Sequence, residues 1–132
     1  FAEGAADILM HGGRNWKSLR IYNGFKTREN EFTAFDSIGE LKNLDAFGCT
    51  GPLLTEKAVA GLEALSRLVE VKLSSPIPEG AVELLSRLPQ VDFVILSGWH
   101  TVDKNRSKQI AQHLAKMPKL SKLIVEIWYA PT

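Results

Sequence analysis

The sequence predicts an α/β fold in which helices alternate with parallel strands, and three observations predict it. Apolar residues recur at every third position, the recurrence marks a helix-to-strand junction, and the junction is made five times at nearly even spacing. A period of three belongs neither to a lone helix, with a period of about 3.6, nor to a lone strand, with a period of about 2. It arises where the last turn of a helix, a short corner and the start of a strand all touch one core. Ile38, Leu41, Leu44 and Phe47 show it, as do Leu62, Leu65, Leu68 and Val71, which run on to Leu73. Val82, Leu85, Leu88, Val91 and Val94 lead to Leu96 in the same way, and Leu114, Met117, Leu120 and Leu123 lead to Val125. Trp16, Leu19 and Ile21 form a weaker first copy.

Each element follows in order. Residues 5–11 read as the end of a helix closed by Gly12 or Gly13. A strand around Leu19 comes next, then a helix over 29–37 stopped by Gly39, then a strand around Leu44. Thr55 is a good N-cap for a helix carrying Val59, Leu62 and Leu65. After the strand around Val71, Pro78 suits the first turn of a shorter helix with Val82 and Leu85. Beyond the strand around Val94, Asp103 caps a helix carrying Ile110, Leu114 and Met117, and a fifth strand follows around Leu123. The strand markers Leu19, Leu44, Val71, Val94 and Leu123 are 25, 27, 23 and 29 residues apart. This alternation gives parallel strands with the helices on the opposite side, as a solenoid or as an ordinary open sheet. Strand order separates the two, because helices on both faces with a reversal of order would place a pocket at the strand ends.

The residues that repeat are Trp16-Lys-Ser-Leu19-Arg-Ile21, Leu41-Lys-Asn-Leu44-Asp-Ala46-Phe-Gly-Cys49, Leu68-Val-Glu-Val71-Lys-Leu73, Val91-Asp-Phe-Val94-Ile-Leu96 and Leu120-Ser-Lys-Leu123-Ile-Val125. This pattern resembles the L-x-x-L-x-L core of the leucine-rich repeat family, whose period is roughly 20 to 29 residues. Cys49 falls where that family places Asn or Cys, whereas Gly24, Pro76, Trp99 and Trp128 hold that place in the other units. The long helical connectors are similar to the ribonuclease-inhibitor-like type. The resemblance implies a solenoid arc of about five irregular repeats, with parallel strands on the concave face and helices on the convex face. It also implies a protein-recognition or scaffold role; substrate-recognition subunits and assembly factors use similar arcs.

Composition fits one domain. The chain has 132 residues, a net charge of +1, 45% hydrophobic and 8% aromatic residues, and a core of this size needs no disulfide or metal. A single domain over 1–132 is expected, as part of a longer protein or assembly, since the chain opens at Phe1 without methionine. No uncharged run approaches the roughly 18 residues of a membrane helix, and the opening residues lack the basic stretch of a signal peptide. A soluble, intracellular chain without a membrane partner is the expectation. Charge is uneven: +3 over 1–28, −5 over 29–63, −1 over 64–98 and +4 over 99–132. The densest basic stretch, Lys104 to Lys119, lacks interleaved aromatics, so nucleic acid is not an expected partner.

In such an arc the residues between the core positions project from the sheet. The central outward column is then Arg20, Asp45, Lys72, Ile95 and Ile124, flanked by Tyr22, Phe47, Ser74, Ser97 and Glu126, with Phe93 in a neighbouring column. Charges mixed with aromatic and aliphatic anchors compose a protein-binding surface. Candidate partner-binding residues are therefore Arg20, Tyr22, Asp45, Phe47, Lys72, Phe93, Ile95, Ile124 and Glu126. The apolar run from Leu123 to Tyr129 would leave an exposed edge, open to self-association or to a continuing chain.

No catalytic constellation emerges. His11, His100 and His113 lie in different units without a metal-binding spacing, so no metal and no cofactor is expected. Cys49 has no adjacent base and reads as a buried structural thiol at the turn. Gly48-Cys-Thr-Gly51 lacks the spacing of a phosphate-binding loop. Trp16 belongs to the core of the first strand, and Trp99 and Trp128 fill turns after theirs. The expected function is non-enzymatic recognition or scaffolding through the concave face. The alternatives are a recognition or assembly subunit using its terminal edge, and an α/β ligand-binding or enzyme domain with Cys49 near its site.

Overall fold

A computed structural model describes residues 15–21, 38–74, 77–98 and 104–126. The chain order is β1 (Ser18–Ile21), β2 (Ala46–Thr50), a 3-10 turn (Gly51–Leu53), α1 (Glu56–Glu63), β3 (Glu70–Ser74), α2 (Glu79–Leu85), β4 (Phe93–Ser97), α3 (Lys104–Leu114) and β5 (Lys122–Glu126). The five strands form one sheet, all neighbours are parallel, and their spatial order is the chain order, β1-β2-β3-β4-β5. This is an α/β fold without a reversal of strand order. The predicted helices over 5–11 and 29–37, Tyr22, Trp99, His11, His100, Asp103 and Trp128 lie outside the described residues.

The period of three lands where the junction argument puts it. Leu62, Leu65, Leu68, Val71 and Leu73 are fully buried, as are Val82, Leu85, Leu88, Val91 and Val94, and they join Ile110, Leu114 and Met117 in one core. Each such side chain contributes roughly 1.5 to 3 kcal/mol relative to exposure. Three described helices thus pack on the same side of the sheet, as right-handed connections between successive parallel strands require. Thr55 caps α1 as its sequence suggests: its Oγ1 accepts a hydrogen bond from the Ala58 N–H at 3.3 Å. Pro78 stands one residue earlier than expected, at the N-cap of α2 rather than inside it. Gln90 closes the other end of α1, its Nε2 donating to the Leu62 and Leu65 carbonyls at 3.0 and 3.1 Å. These carbonyls, in the last turn of α1 and just beyond it, also accept the backbone N–H groups of Leu65 and Leu68, so Gln90 adds a second donor to each and ties the two units together. Gly61 allows α1 to approach the preceding unit, because a Cβ there would collide with Ile38 Cγ2.

A single carbonyl organises the start of each strand from β2 to β5. The Lys17 carbonyl accepts the N–H groups of Asp45 and Ala46, Asp45 those of Val69 and Glu70, Val69 those of Asp92 and Phe93, and Asp92 those of Ser121 and Lys122. Lys17, Asp45, Val69 and Asp92 are therefore equivalent positions. That equivalence corrects the expected alignment of the second unit by three residues. Leu19 pairs with Phe47, Phe47 with Val71, Val71 with Val94 and Val94 with Leu123. Phe47, not Leu44, is the core residue of β2, and Cys49, not Ala46, aligns with Leu73 and Leu96. Equivalent residues are then 28, 24, 23 and 29 apart. The run Ile38-Leu41-Leu44-Phe47 admits either register, and the packing of the Phe47 ring in the core, at 2% exposure, selects between them.

Candidate recognition face

Alternation along each strand turns every second residue away from the helices. The register lines these up in one central column across the five strands: Arg20, Gly48, Lys72, Ile95 and Ile124. Beside it on the N-terminal side run Ser18, Ala46, Glu70, Phe93 and Lys122, and on the other side Thr50, Ser74, Ser97 and Glu126. Gly48 shapes the centre. A Cβ at that position would stand 3.2 Å from Arg20 Cγ and 3.4 Å from Lys72 Cβ. With hydrogen there instead, Arg20 reaches across β2 and its guanidinium comes within 3.9 Å of the Glu70 carboxylate on β3. Both side chains are solvent-accessible, so this ion pair orders the guanidinium and adds little stability. On the far side of the face the Lys122 ammonium lies 4.7 Å from the centre of the Phe93 ring, a cation–π contact. Between them Ile95 is 9% exposed and Ile124 36% exposed.

The face thus has Arg20 and Lys72 at one end with Glu70 beside them, and Phe93 and Ile124 at the other with Lys122 beside them, while Ile95 is buried. Six of the expected residues meet on it: Arg20, Lys72, Phe93, Ile95, Ile124 and Glu126. Three do not. Phe47 points to the helix side and is buried, a correction that follows from the three-residue shift of β2. Asp45 is exposed but precedes β2, at the level of Lys17 and Val69, and Gly48 takes its place in the central column. Tyr22 lies outside the described residues. Sequence reasoning missed Gly48; aligning Cys49 with Leu73 and Leu96 would have found it.

The residues considered for chemistry are placed differently. Cys49 is buried within β2 rather than at a turn, and burial pushes its thiol up from the ordinary 9.0 to about 12. A thiol held neutral is a poor nucleophile and a poor metal ligand. Gly51–Leu53 forms a 3-10 turn with Pro52 in its first positions. Near it an open cleft of about 430 Å³ is lined by Thr55, Glu56, Pro78, Glu83, Leu84 and Arg87 among others, with neither histidine nor cysteine. His113 is half-buried on α3. Among the described residues no group of three or more His, Cys, Asp or Glu is placed to hold a metal ion, and no helix is long and apolar enough to cross a membrane.

Fold and face together define an α/β protein whose five described strands form one parallel sheet laid out in chain order. No protein-family model matches the chain, and no curated protein is significantly similar to it.

Proposed function

We propose that the chain is a leucine-rich-repeat arc acting as a non-enzymatic recognition module, and that it binds a protein partner through the sheet face that bears Arg20, Lys72 and Ile95. The observation that carries this reading is the central column itself. Five strands bring Arg20, Lys72 and Ile124 into one line, with Gly48 between the two basic residues leaving room for the Arg20 side chain to cross β2. Sequential strand order, equivalent residues 23 to 29 apart and the repeated carbonyl at each strand start support the arc. A partner presenting a carboxylate beside an apolar side chain matches both ends of the column. The enzyme alternative is less well supported, since the nucleophile it relied on, Cys49, is buried and held neutral.

The test compares capture of partners from source-cell lysate by three proteins: the wild type, an Arg20→Glu/Lys72→Glu face variant, and a Glu63→Lys/Glu83→Lys helix-side variant. Circular dichroism checks that all three are folded. The expected result is a protein recovered by the wild type and the helix-side variant, with recovery down at least about tenfold for the face variant. Equal recovery by all three, or loss confined to the helix-side variant, would overturn the reading.

A further inference from the structure

We infer that the outer edge of β5 pairs antiparallel with the same strand of a second copy, about a two-fold axis at Ile124. This inference does not rest on the partner-binding reading, although Ile124 and Glu126 also belong to that face; it rests on three features of one five-residue strand, Lys122-Leu-Ile-Val-Glu126.

The first feature is exposed apolar surface on both sides of β5. Leu123 and Val125 align with Val94 and Leu96. In β4 those positions are at most 1% exposed, whereas Leu123 and Val125 are 45% and 43% exposed and Ile124, on the other side, is 36% exposed. Such a strand attracts another strand.

The second is the direction of its backbone. The Lys122 N–H donates to the Asp92 carbonyl, and the Glu126 carbonyl accepts from the Gly98 N–H, so the even-numbered residues turn their peptide groups toward β4. Alternation then turns the N–H and C=O groups of Leu123 and Val125 to the outer edge. An antiparallel copy centred on Ile124 places Leu123 opposite the second copy's Val125, and each such pair exchanges two hydrogen bonds. The two Ile124 residues face each other as the close, non-hydrogen-bonded pair between them.

Charge is the third feature and selects the orientation. In the antiparallel arrangement Lys122 of each copy lies opposite Glu126 of the other, on the same side of the joined sheet. A parallel, in-register copy would instead set Lys122 against Lys122 and Glu126 against Glu126, which is destabilising. The strand is self-complementary only about a two-fold axis, the symmetry of an isologous dimer.

Sedimentation velocity of the 132-residue chain over a broad concentration range tests this, with circular dichroism as the folding control. The expected result is a reversible monomer–dimer equilibrium. Lys122→Glu alone and Glu126→Lys alone each put like charges opposite one another twice and weaken the dimer at least about tenfold. The double exchange Lys122→Glu/Glu126→Lys restores opposite charges and brings dimerisation back to near the wild-type level. A monomer at every concentration would overturn the inference. So would a dimer indifferent to the single reversals, or one that the double exchange fails to restore.

Discussion

Cys49 stands in the inner column of β2 between Ile21 and Leu73 and touches only the core. Its thiol is raised from 9.0 to about 12 by desolvation alone, since burial penalises the thiolate. The folded-state value lies above the unfolded one, so the neutral thiol favours folding in full below about pH 9 and progressively less as pH rises toward 12. Chemical denaturation followed from pH 7 to pH 10.5 should therefore show a steeper alkaline loss for the wild type than for Cys49→Ala, by up to about 1.4 kcal/mol per pH unit above 9. Identical alkaline slopes would contradict this account of the residue. That Cys49 is structural is legible from its isolation in the sequence. Its place inside a strand rather than at a turn is not, because the family-like spacing that begins at Leu41 happens to put it at the turn position.

The elements show the same division. Helix-to-strand junctions are legible because one core forces a period of three wherever a helix end and a strand start meet it, and Thr55 announces α1 by cap chemistry. Register within a junction is less legible. Ala46 and Cys49 are both small, and only the packing of the Phe47 ring decides which one continues the core column. Long-range caps leave no local signal at all: Gln90 is 25 and 28 residues from the carbonyls it satisfies. Its amide should be worth more than a surface polar group. Gln90→Ala removes the second donor from two carbonyls at and just beyond the end of α1, which keep their backbone donors, and should cost about 0.5 to 1.5 kcal/mol in urea denaturation, whereas the exposed Glu83→Ala should change stability by less than about 0.5 kcal/mol. Equal effects would mean that water replaces the cap without loss.

At the scale of the whole molecule, the even recurrence of these units makes the parallel, sequential sheet legible from one chain. The composition of its exposed face is legible only where the register is right. Arg20, Lys72, Ile95 and Ile124 are found because their units align without ambiguity, and Gly48 is missed because its unit does not. The recognition role depends on that register, since a shift of three in β2 would replace Gly48, between Arg20 and Lys72, with a carboxylate from Asp45. Paired cysteines test it directly. Residues opposite one another in adjacent parallel strands, with side chains on one face, lie within disulfide range. Ala46 is opposite Glu70 in the structure, whereas the alternative register puts Asn43 there. Under mild oxidation, with Cys49 left in place as a buried and unreactive thiol, Ala46→Cys/Glu70→Cys should form an intramolecular disulfide identified by mass spectrometry, and Asn43→Cys/Glu70→Cys should not. Cross-linking of the second pair and not the first would contradict the register, and with it the recognition face.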